Sequence, residues 1–222
     1  MTPRIAVLDY GIGNLRSAEK ALQHVGAAAR LVTDPAEVEA ADAVVLPGVG
    51  AFGACARALR ESGLEKVARA AIAADVPFLA VCIGFQLLYE GSDENMEPGA
   101  EEIGLGIFPG RVAALAPTVK HPQMQWNQLV PVSPGQPGPA EAPGPAEAPG
   151  PASLRGLGPR PWVYFVHSFA PPVGVETVAV CDYGGPVAAL VERGHLWGAQ
   201  FHPEKSGRSG LGLLANFVAL AA

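Results

Sequence analysis

Cysteine is scarce in this chain of 222 residues, and the three cysteines are not arranged as a framework. Cys55, Cys82 and Cys181 form no C-x-x-C pair and no even set. This excludes a disulfide scaffold and a structural zinc site, which need paired or clustered cysteines. We expect reduced thiols, as in a cytoplasmic protein, and no metal site.

Long apolar runs and an excess of basic residues are also missing. No stretch reaches the roughly 18 apolar residues of a membrane-spanning helix, and the amino terminus opens directly into a strand pattern. Lys and Arg number 15 against 21 Asp and Glu, which gives a net charge of -6. A general nucleic-acid binder needs clustered Lys and Arg to neutralise phosphates. We therefore expect a cytoplasmic protein that binds neither nucleic acid nor membrane.

A missing glycine argues against a dinucleotide cofactor. The turn GIGN at 11–14 follows the first predicted strand, as the G-x-G-x-x-G motif does in Rossmann domains. The third glycine of that motif would fall at position 16, which is Arg16. We expect no nucleotide site at this turn and no cofactor.

Hydrophobic residues, by contrast, make up 49% of the chain, enough for the core of a single domain over residues 1–222. Strand and helix patterns alternate in the first half, which is typical of an α/β fold with a mostly parallel sheet and helices on both faces. The pattern predicts strands at Arg4 to Asp9, Ala29 to Val32, ADAVVL ending at Pro47, and Val76 to Cys82, and helices from near Asn14, at Pro35 to Ala40, at Phe52 to Ala73 and in IGFQLLYE after Cys82.

The second half has shorter, more β-branched segments at 163–169, 176–183 and 187–192, which predict an additional, partly antiparallel sheet. Apolar residues at helical spacing predict a terminal helix from Ser206 to Ala222. Residues 133–160 are rich in Pro, Gly and Ala, and 138–152 repeat a six-residue unit. That period excludes collagen, and we expect a mobile surface loop without a catalytic role.

Cys82 is the candidate nucleophile, because it lies at a sharp turn from an apolar strand into a predicted helix. Such a nucleophile elbow projects its side chain above the sheet and requires small neighbours such as Gly84. The backbone N–H of Ile83 is then available to an oxyanion. The positive end of the following helix favours a thiolate.

His202 and Glu204 form the candidate acid–base pair. They follow the strand-like segment HLWGAQF, and alternate positions place both side chains on one side of the chain. An imidazole can take the thiol proton and return it to a leaving ammonia, while the carboxylate orients the ring. The carboxyl ends of parallel strands meet at one edge, so the sequence separation from Cys82 is no objection.

A glycine-rich turn after the strand ADAVVL can supply a second oxyanion donor. Its sequence is Pro47-Gly48-Val49-Gly50, and its glycines permit unusual backbone angles and close approach to a ligand.

The motif C-x-G-x-Q at Cys82 to Gln86, with FHPEK at 201–205, resembles the class I, triad-type glutamine amidotransferases. The resemblance implies a flavodoxin-like α/β fold and hydrolysis of glutamine through a cysteine thioester. DYGIGNLRS at 9–17, PGVGAF at 47–52, QWN at 125–127 and YFVHSF at 164–169 are similar to the glutaminase subunits of imidazole glycerol phosphate synthase. Ala80 and Gln125 stand where these subunits usually have glycine.

By this resemblance Cys82 is the nucleophile, His202 the acid and base, and Glu204 its orienter. The resemblance also implies residues that hold the glutamine substrate, with Glu94 assigned to its amino group. Together with the oxyanion donors, the predicted substrate-binding residues are Gly48, Val49, Gly50, Ile83, Gln86, Glu94, Ser168 and Phe169.

The resemblance further implies a partner, a cyclase subunit with a (β/α)8 barrel, in a heterodimer. The cyclase receives the ammonia and makes imidazole glycerol phosphate and an aminoimidazole carboxamide ribonucleotide in histidine biosynthesis. The residues implied at the subunit interface are Asn14, Trp126, Tyr164 and Lys205.

Three alternatives remain open. The chain can serve another amidotransferase of the same class, in pyridoxal phosphate, purine or anthranilate synthesis. It can also be a stand-alone thiol hydrolase on a similar fold, which would act without a partner. A non-enzymatic binding module is the third alternative, but it would not need Cys82, His202 and Glu204 together.

Overall fold

The computed structural model describes residues 1–94, 103–132 and 150–222. Thirteen strands lie in these ranges and form three sheets. In chain order the strands are β1 (Arg4–Leu8), β2 (Ala28–Val32), β3 (Ala43–Gly48), β4 (Phe78–Cys82), β5 (Tyr89–Ser92), β6 (Phe108–Ala114), β7 (Gln123–Gln128), β8 (Val130–Pro131), β9 (Trp162–His167), β10 (Phe169–Ala170), β11 (Thr177–Asp182), β12 (Pro186–Arg193) and β13 (Leu196–Ala199).

The largest sheet has eight strands in the order β2-β1-β3-β4-β13-β12-β11-β8. Its first five strands pair in parallel, and the last three continue the sheet in antiparallel fashion. Strands β3, β4 and β13 are buried along their whole length, since they lie in the middle with both faces covered. The predicted α/β fold with a mostly parallel sheet is confirmed.

Helices connect the parallel strands and cover the sheet. The chain moves from β1 to β2 in one direction and from β2 to β3 in the other, so right-handed crossovers place the two connecting helices on opposite faces. The contacts agree, because the first helix packs on the last one, whereas the second and third both pack on the fourth. The helices are α1 (Leu15–His24), α2 (Pro35–Glu39), α3 (Phe52–Glu61), α4 (Leu64–Ala73), α5 (Ile83–Gln86) and α6 (Gly207–Leu220), with 3₁₀ helices at Ala152–Leu154 and Pro203–Lys205.

The single helix predicted at Phe52 to Ala73 is wrong, since the structure has α3 and α4 there with a break between them. Gly63 has a φ of 77°, a left-handed conformation that ends a helix. The Ser62 hydroxyl donates to the Leu59 carbonyl and accepts from the Leu64 N–H across the break. The apolar spacing continues through the break, which is why the sequence pattern did not reveal it.

The predicted helix in IGFQLLYE is also too long. Helix α5 is a single turn, and Tyr89 already belongs to β5. The chain leaves the helix because the carbonyls of Leu87 and Leu88 accept backbone hydrogen bonds from residues 105, 107 and 108. A single helical turn has only a small dipole, so the partial positive charge that α5 places at Cys82 is weak.

The strands predicted in the second half are confirmed, but they do not form one additional sheet. Strands β11 and β12 extend the central sheet, whereas β9 pairs only with β7 in an antiparallel ribbon. A separate three-stranded sheet contains β10, β6 and β5. The ribbon of β7 and β9 carries both aromatic residues predicted at the interface, Trp126 and Tyr164.

The terminal helix is confirmed as α6, which begins at Gly207 and buries Leu213, Leu214 and Phe217. The Phe217 ring lies 5.7 Å from the ring of Trp197 in the central sheet. Among the residues that the structure describes, no helix is long and apolar enough to cross a membrane.

The loop predicted at 133–160 is partly anchored. Residues 133–149, which include most of the repeat, lie outside the described residues. The described residues resume at 150. The Glu192 carboxylate accepts hydrogen bonds from the N–H groups of Ala152 and Ser153, both at 3.0 Å, and from the Ser153 hydroxyl at 2.5 Å. Asn216 of α6 donates to the carbonyls of Ser153 and Arg155. The described part of the predicted loop, from residue 150 onward, is therefore held against the fold.

We expect Glu192→Ala to lower the free energy of unfolding by about 1 to 3 kcal/mol, because it leaves two backbone N–H groups and a buried hydroxyl without their charged acceptor. Urea unfolding followed by circular dichroism measures the change. Glu192→Gln keeps one acceptor oxygen and should lose less. An unfolding curve of Glu192→Ala that matches the wild type would show that these hydrogen bonds of Glu192 do not stabilise the fold.

Candidate active site

Cys82 lies at the junction of β4 and α5 in a conformation that non-glycine residues rarely adopt. Its φ is 55° and its ψ is -111°. Such backbone strain costs about 1 to 3 kcal/mol and persists only where the surrounding structure enforces it. The conformation is the nucleophile elbow predicted from the sequence, and it directs the thiol of Cys82 into a cavity.

Glycines on both sides of the elbow are required by crowding. A Cβ on Gly84 would lie 2.0 Å from the Leu46 carbonyl oxygen, and one on Gly48 would lie 2.6 Å from the Gly84 nitrogen. Gly48 pairs with Cys82 in the parallel ladder of β3 and β4. Strand β3 and the start of α5 can therefore approach only because neither glycine has a side chain.

The glycine-rich turn at 47–50 is held from below by two side chains. The Tyr10 hydroxyl donates to the Pro47 carbonyl at 2.6 Å, and the Cys55 thiol donates to the Val49 carbonyl at 3.2 Å. Gly50 has a φ of 95°, which explains the glycine there. Burial raises the pKa of Cys55 to about 11, so its thiol stays protonated and able to donate at neutral pH.

His202 and Glu204 lie directly beyond the end of β13, where the chain enters a 3₁₀ helix. His202 Nδ1 and Glu204 Oε1 are 2.9 Å apart, and the two side chains are only 3% and 5% exposed. Asn14 Nδ2 donates to the same carboxylate oxygen at 3.3 Å. The carboxylate therefore fixes the imidazole with its Nε2 atom as the nitrogen left for chemistry.

The electrostatics of this pair favour a charged imidazole. Burial alone would lower the pKa of His202, but the nearby Cys82 sulfur and the Glu204 carboxylate raise it to about 9. Burial alone would raise the pKa of Glu204, but its hydrogen bonds with His202 and Asn14 hold it below the usual value. His202 Nε2 is buried and has no hydrogen-bond partner among the described residues.

The backbone of His202 is fixed by a closed ring of hydrogen bonds to the ribbon of β7 and β9. The His202 N–H donates to the Tyr164 carbonyl at 3.0 Å, and the Tyr164 N–H donates to the Ser206 hydroxyl oxygen at 2.9 Å. The Ser206 hydroxyl in turn donates to the His202 carbonyl at 2.6 Å. Movement of Tyr164 therefore changes the position of His202.

A cavity of about 260 Å³ opens above the Cys82 thiol. Cys82 and His202 both line it, and their approach here is what the sequence predicted for two strand ends. All but one of the predicted substrate-binding residues line it as well. They are Val49, Gly50, Ile83, Gln86, Glu94, Ser168 and Phe169.

Gly48 is the exception among the predicted substrate-binding residues. It lines a much smaller cavity on the other side of the turn, together with Asn14 and Glu204. Gly48 therefore acts by allowing close packing at the elbow. The two cavities share Val49 and His202 in their walls.

Two polar groups that line the cavity have defined partners. Glu94 Oε2 accepts from the Phe52 N–H at 2.7 Å, which caps the start of α3, and Glu94 lines the cavity. Gln86 Nε2 donates to the Phe169 carbonyl at 2.9 Å, while its Oε1 atom is buried without a partner among the described residues. A ligand with a hydrogen-bond donor would satisfy that oxygen.

Sequence reasoning did not single out Gln200 and His167. Gln200 is fully buried behind Cys82, and His167 lines the cavity between the Phe169 carbonyl and Gln123. Burial lowers the pKa of His167 to about 4, so this imidazole is neutral at physiological pH. The position of Gln200, directly after β13 and two residues before His202, was the only signal in the sequence.

The four predicted interface residues lie near His202 and Glu204, and none of them lines the larger cavity. Asn14 contacts Glu204, Tyr164 holds the His202 backbone, and Lys205 is exposed in the 3₁₀ helix. Trp126 is 48% exposed, and its ring lies 6.1 Å from that of Tyr164. Their role at an interface stays a prediction.

The chain is similar in sequence to known proteins over nearly its whole length. The family model described as glutamine amidotransferase class-I matches residues 6–220. The chain is 45% identical over 223 residues to "Imidazole glycerol phosphate synthase subunit HisH" of Thermosynechococcus vestitus, which covers 98% of this chain and 97% of the relative. It is 44% identical over 219 residues to the protein of the same name from Deinococcus radiodurans, which covers 97% of this chain and 93% of that one.

Solved structures share the fold at lower identity. One is titled "Crystal structure of glutamine amidotransferase" and superposes with a TM-score of 0.70 at 21% identity, covering 98% of both chains. The "Structure of PurLQS from Thermotoga maritima" also gives a TM-score of 0.70, at 19% identity and 99% coverage of both chains.

The raised pKa of His202 predicts how stability depends on pH. Its ordinary value is 6.5 and its folded value is about 9, so its contribution is complete below about pH 6.5 and is lost as the pH rises through about 9. We expect the difference in unfolding free energy between wild type and His202→Asn to shrink over this window, by at most about 3 kcal/mol. Urea unfolding at several pH values measures it. A difference that stays constant or grows with pH would contradict the raised pKa.

Proposed function

This chain belongs to the class-I glutamine amidotransferase family and, within it, to the HisH subunits of imidazole glycerol phosphate synthase, and we propose that Cys82, His202 and Glu204 are its catalytic residues. It is a glutaminase that supplies ammonia in histidine biosynthesis. The observation that carries the residue assignment is the buried pair of His202 and Glu204, 2.9 Å apart, beside a strained cysteine that faces a cavity.

The first half of the reaction forms a thioester. His202 Nε2 takes the Cys82 proton, and the imidazolium is stabilised by the Glu204 carboxylate. The thiolate attacks the carboxamide carbon of glutamine, and backbone N–H groups at Ile83 and in the glycine-rich turn stabilise the oxyanion. The imidazolium then gives its proton to the leaving nitrogen, which departs as ammonia.

The second half returns the enzyme to its starting state. His202 removes a proton from water, and the resulting hydroxide attacks the thioester carbon. The carbon–sulfur bond breaks, glutamate leaves, and the proton returns to the Cys82 sulfur through the imidazole. Because Nδ1 stays bonded to Glu204 throughout, a single nitrogen of His202 serves every proton transfer.

The polar groups of the cavity suit glutamine. Gln86 lines the cavity, and its amide oxygen has no hydrogen-bond partner among the described residues. Glutamine offers N–H donors where glutamate has only a carboxylate near the reacting carbon. Glu94 also lines the cavity, and we assign its carboxylate to the α-ammonium group. The backbone at Ser168 and Phe169 completes the opposite wall.

The partner in this proposal is the cyclase subunit, a (β/α)8 barrel that receives the ammonia. Free ammonia in water is largely protonated and unreactive at neutral pH, so a sheltered transfer between subunits preserves the nucleophile. The exposed apolar face of the ribbon suits such a contact, because Met124, Trp126 and Trp162 are 63%, 48% and 53% exposed. The catalytic pair lies directly behind this face.

We expect Cys82→Ala to lower glutamine hydrolysis by more than about a thousandfold, since it removes the nucleophile. The assay measures glutamate release by the chain mixed with the cyclase subunit and its ribonucleotide ligand. Cys181→Ala, which changes a buried cysteine outside the cavity, is the matched control and should keep its activity. Cys82→Ala should still support synthesis from added ammonium salts. Glutamate release that survives in Cys82→Ala would refute the assignment.

We expect Trp126→Ala to weaken binding to the cyclase by about tenfold or more, because large exposed aromatic residues commonly dominate such contacts. Isothermal titration calorimetry gives the dissociation constants. Val175→Ala is the matched control, since Val175 is 65% exposed but lies outside the ribbon. Equal affinities of the two variants for the cyclase would show that the ribbon is not part of the interface.

A further inference from the structure

Gln200 is a fully buried polar residue directly behind the catalytic cysteine. It follows β13, and its backbone N–H donates to the Ala189 carbonyl at 2.9 Å, which continues the sheet pairing. Its side chain therefore has a fixed origin in the central sheet. A buried amide in this position needs partners for both its oxygen and its nitrogen.

The orientation of the Gln200 amide follows from a single backbone carbonyl. The Phe169 carbonyl can only accept, so the Gln86 atom 2.9 Å from it is the amide nitrogen. The same nitrogen is 3.1 Å from Gln200, which must present its oxygen there. The Gln200 nitrogen then faces the Cys82 sulfur at 3.9 Å. Each amide assignment thus depends on the one before it.

This arrangement makes Gln200 a donor to the nucleophile. An N–H group aimed at sulfur interacts more strongly with a thiolate than with a neutral thiol, because hydrogen bonds to charged acceptors are the stronger ones. The single turn of α5 provides only a weak dipole at the same sulfur. Gln200 therefore adds to the stabilisation that the His202 imidazolium gives the thiolate.

The same amide also supports Gln86. Gln86 Nε2 donates both to the Phe169 carbonyl and to Gln200 Oε1, so Gln200 supplies one of the two hydrogen bonds that hold this side chain among the described residues. Gln200 touches both the nucleophile and the residue that contacts substrate, although it does not line the cavity itself.

We propose that Gln200 is a positioning residue of the glutaminase site, which holds Cys82 in its reactive form through an amide N–H and orients Gln86 through its amide oxygen. The inference rests on the proposed function for its kinetic consequences. Its effect on the thiol, however, can be measured without any substrate.

The test compares Gln200→Met, which keeps the length of the side chain but removes both polar atoms, with the wild type. Alkylation by iodoacetamide is followed by mass spectrometry at the peptide containing Cys82 over pH 5 to 10. Burial raises the pKa of Cys55 to about 11 and that of Cys181 to about 12, so neither thiol competes near neutral pH. We expect the midpoint of alkylation in Gln200→Met to rise by about one pH unit.

Kinetics in the presence of the cyclase subunit separate the two roles. Gln200→Met should lower kcat about tenfold and change KM less than about threefold, because the Phe169 carbonyl still holds Gln86. Gln86→Met should raise KM about tenfold or more, and it should raise the alkylation midpoint by less than Gln200→Met does, because the Gln200 amide stays in place but loses the partner that fixes its orientation. Ser153→Ala, which removes a buried hydroxyl far from the cavity, controls for a general loss of stability and should alter neither quantity.

The outcomes distinguish this inference from the proposed function. A wild-type alkylation profile and kcat in a folded Gln200→Met variant would overturn the inference alone. A wild-type protein that releases no glutamate with its partner would overturn the proposed function, and the alkylation result would still decide the role of Gln200. If thermal melting shows that Gln200→Met does not fold, Gln200→Asn withdraws the amide by one methylene and should shift the midpoint in the same direction.

Discussion

Close contact between β3 and the first turn of α5 sets the geometry on which the site depends. Gly84 lies against the Leu46 carbonyl and Gly48 against Gly84, so the chain can turn sharply only at the residue between strand and helix. That residue is Cys82, and its left-handed conformation follows from the crowding around it. The cavity, the proposed oxyanion donors and the approach of His202 all depend on this turn.

The elements that place the chemistry could be predicted from the sequence, because each has a local signal. The elbow appears as an apolar strand that ends at cysteine with glycine two residues later, and the pair of His202 and Glu204 appears as alternate positions after a strand. The features that were missed are non-local. Gln200 has a role only because Phe169 and Gln86, both distant in sequence, fix its amide. Likewise β5 replaces the continuation of α5 because residues 104–108 offer backbone partners.

Hydrogen bonds join the proposed catalytic pair, His202 and Glu204, to the ribbon of β7 and β9. Ser206 closes the ring of hydrogen bonds between His202 and Tyr164, and Asn14 adds a bond to Glu204 from the loop after β1. The carbonyls of Pro47 and Val49 in the glycine-rich turn are held separately, by Tyr10 and Cys55. The acid–base half and the oxyanion half of the site are therefore supported by different parts of the fold.

The strain at Cys82 has a consequence for how this position can vary over time. A glycine there would adopt the same backbone angles at little cost, so the fold alone would prefer a residue that cannot do the chemistry. The residue that would be most stable at position 82 is thus not the residue that catalysis requires. A copy of this chain released from the need to hydrolyse glutamine would be free to drift toward glycine at the elbow while its sheet, its turn and its ribbon stayed intact.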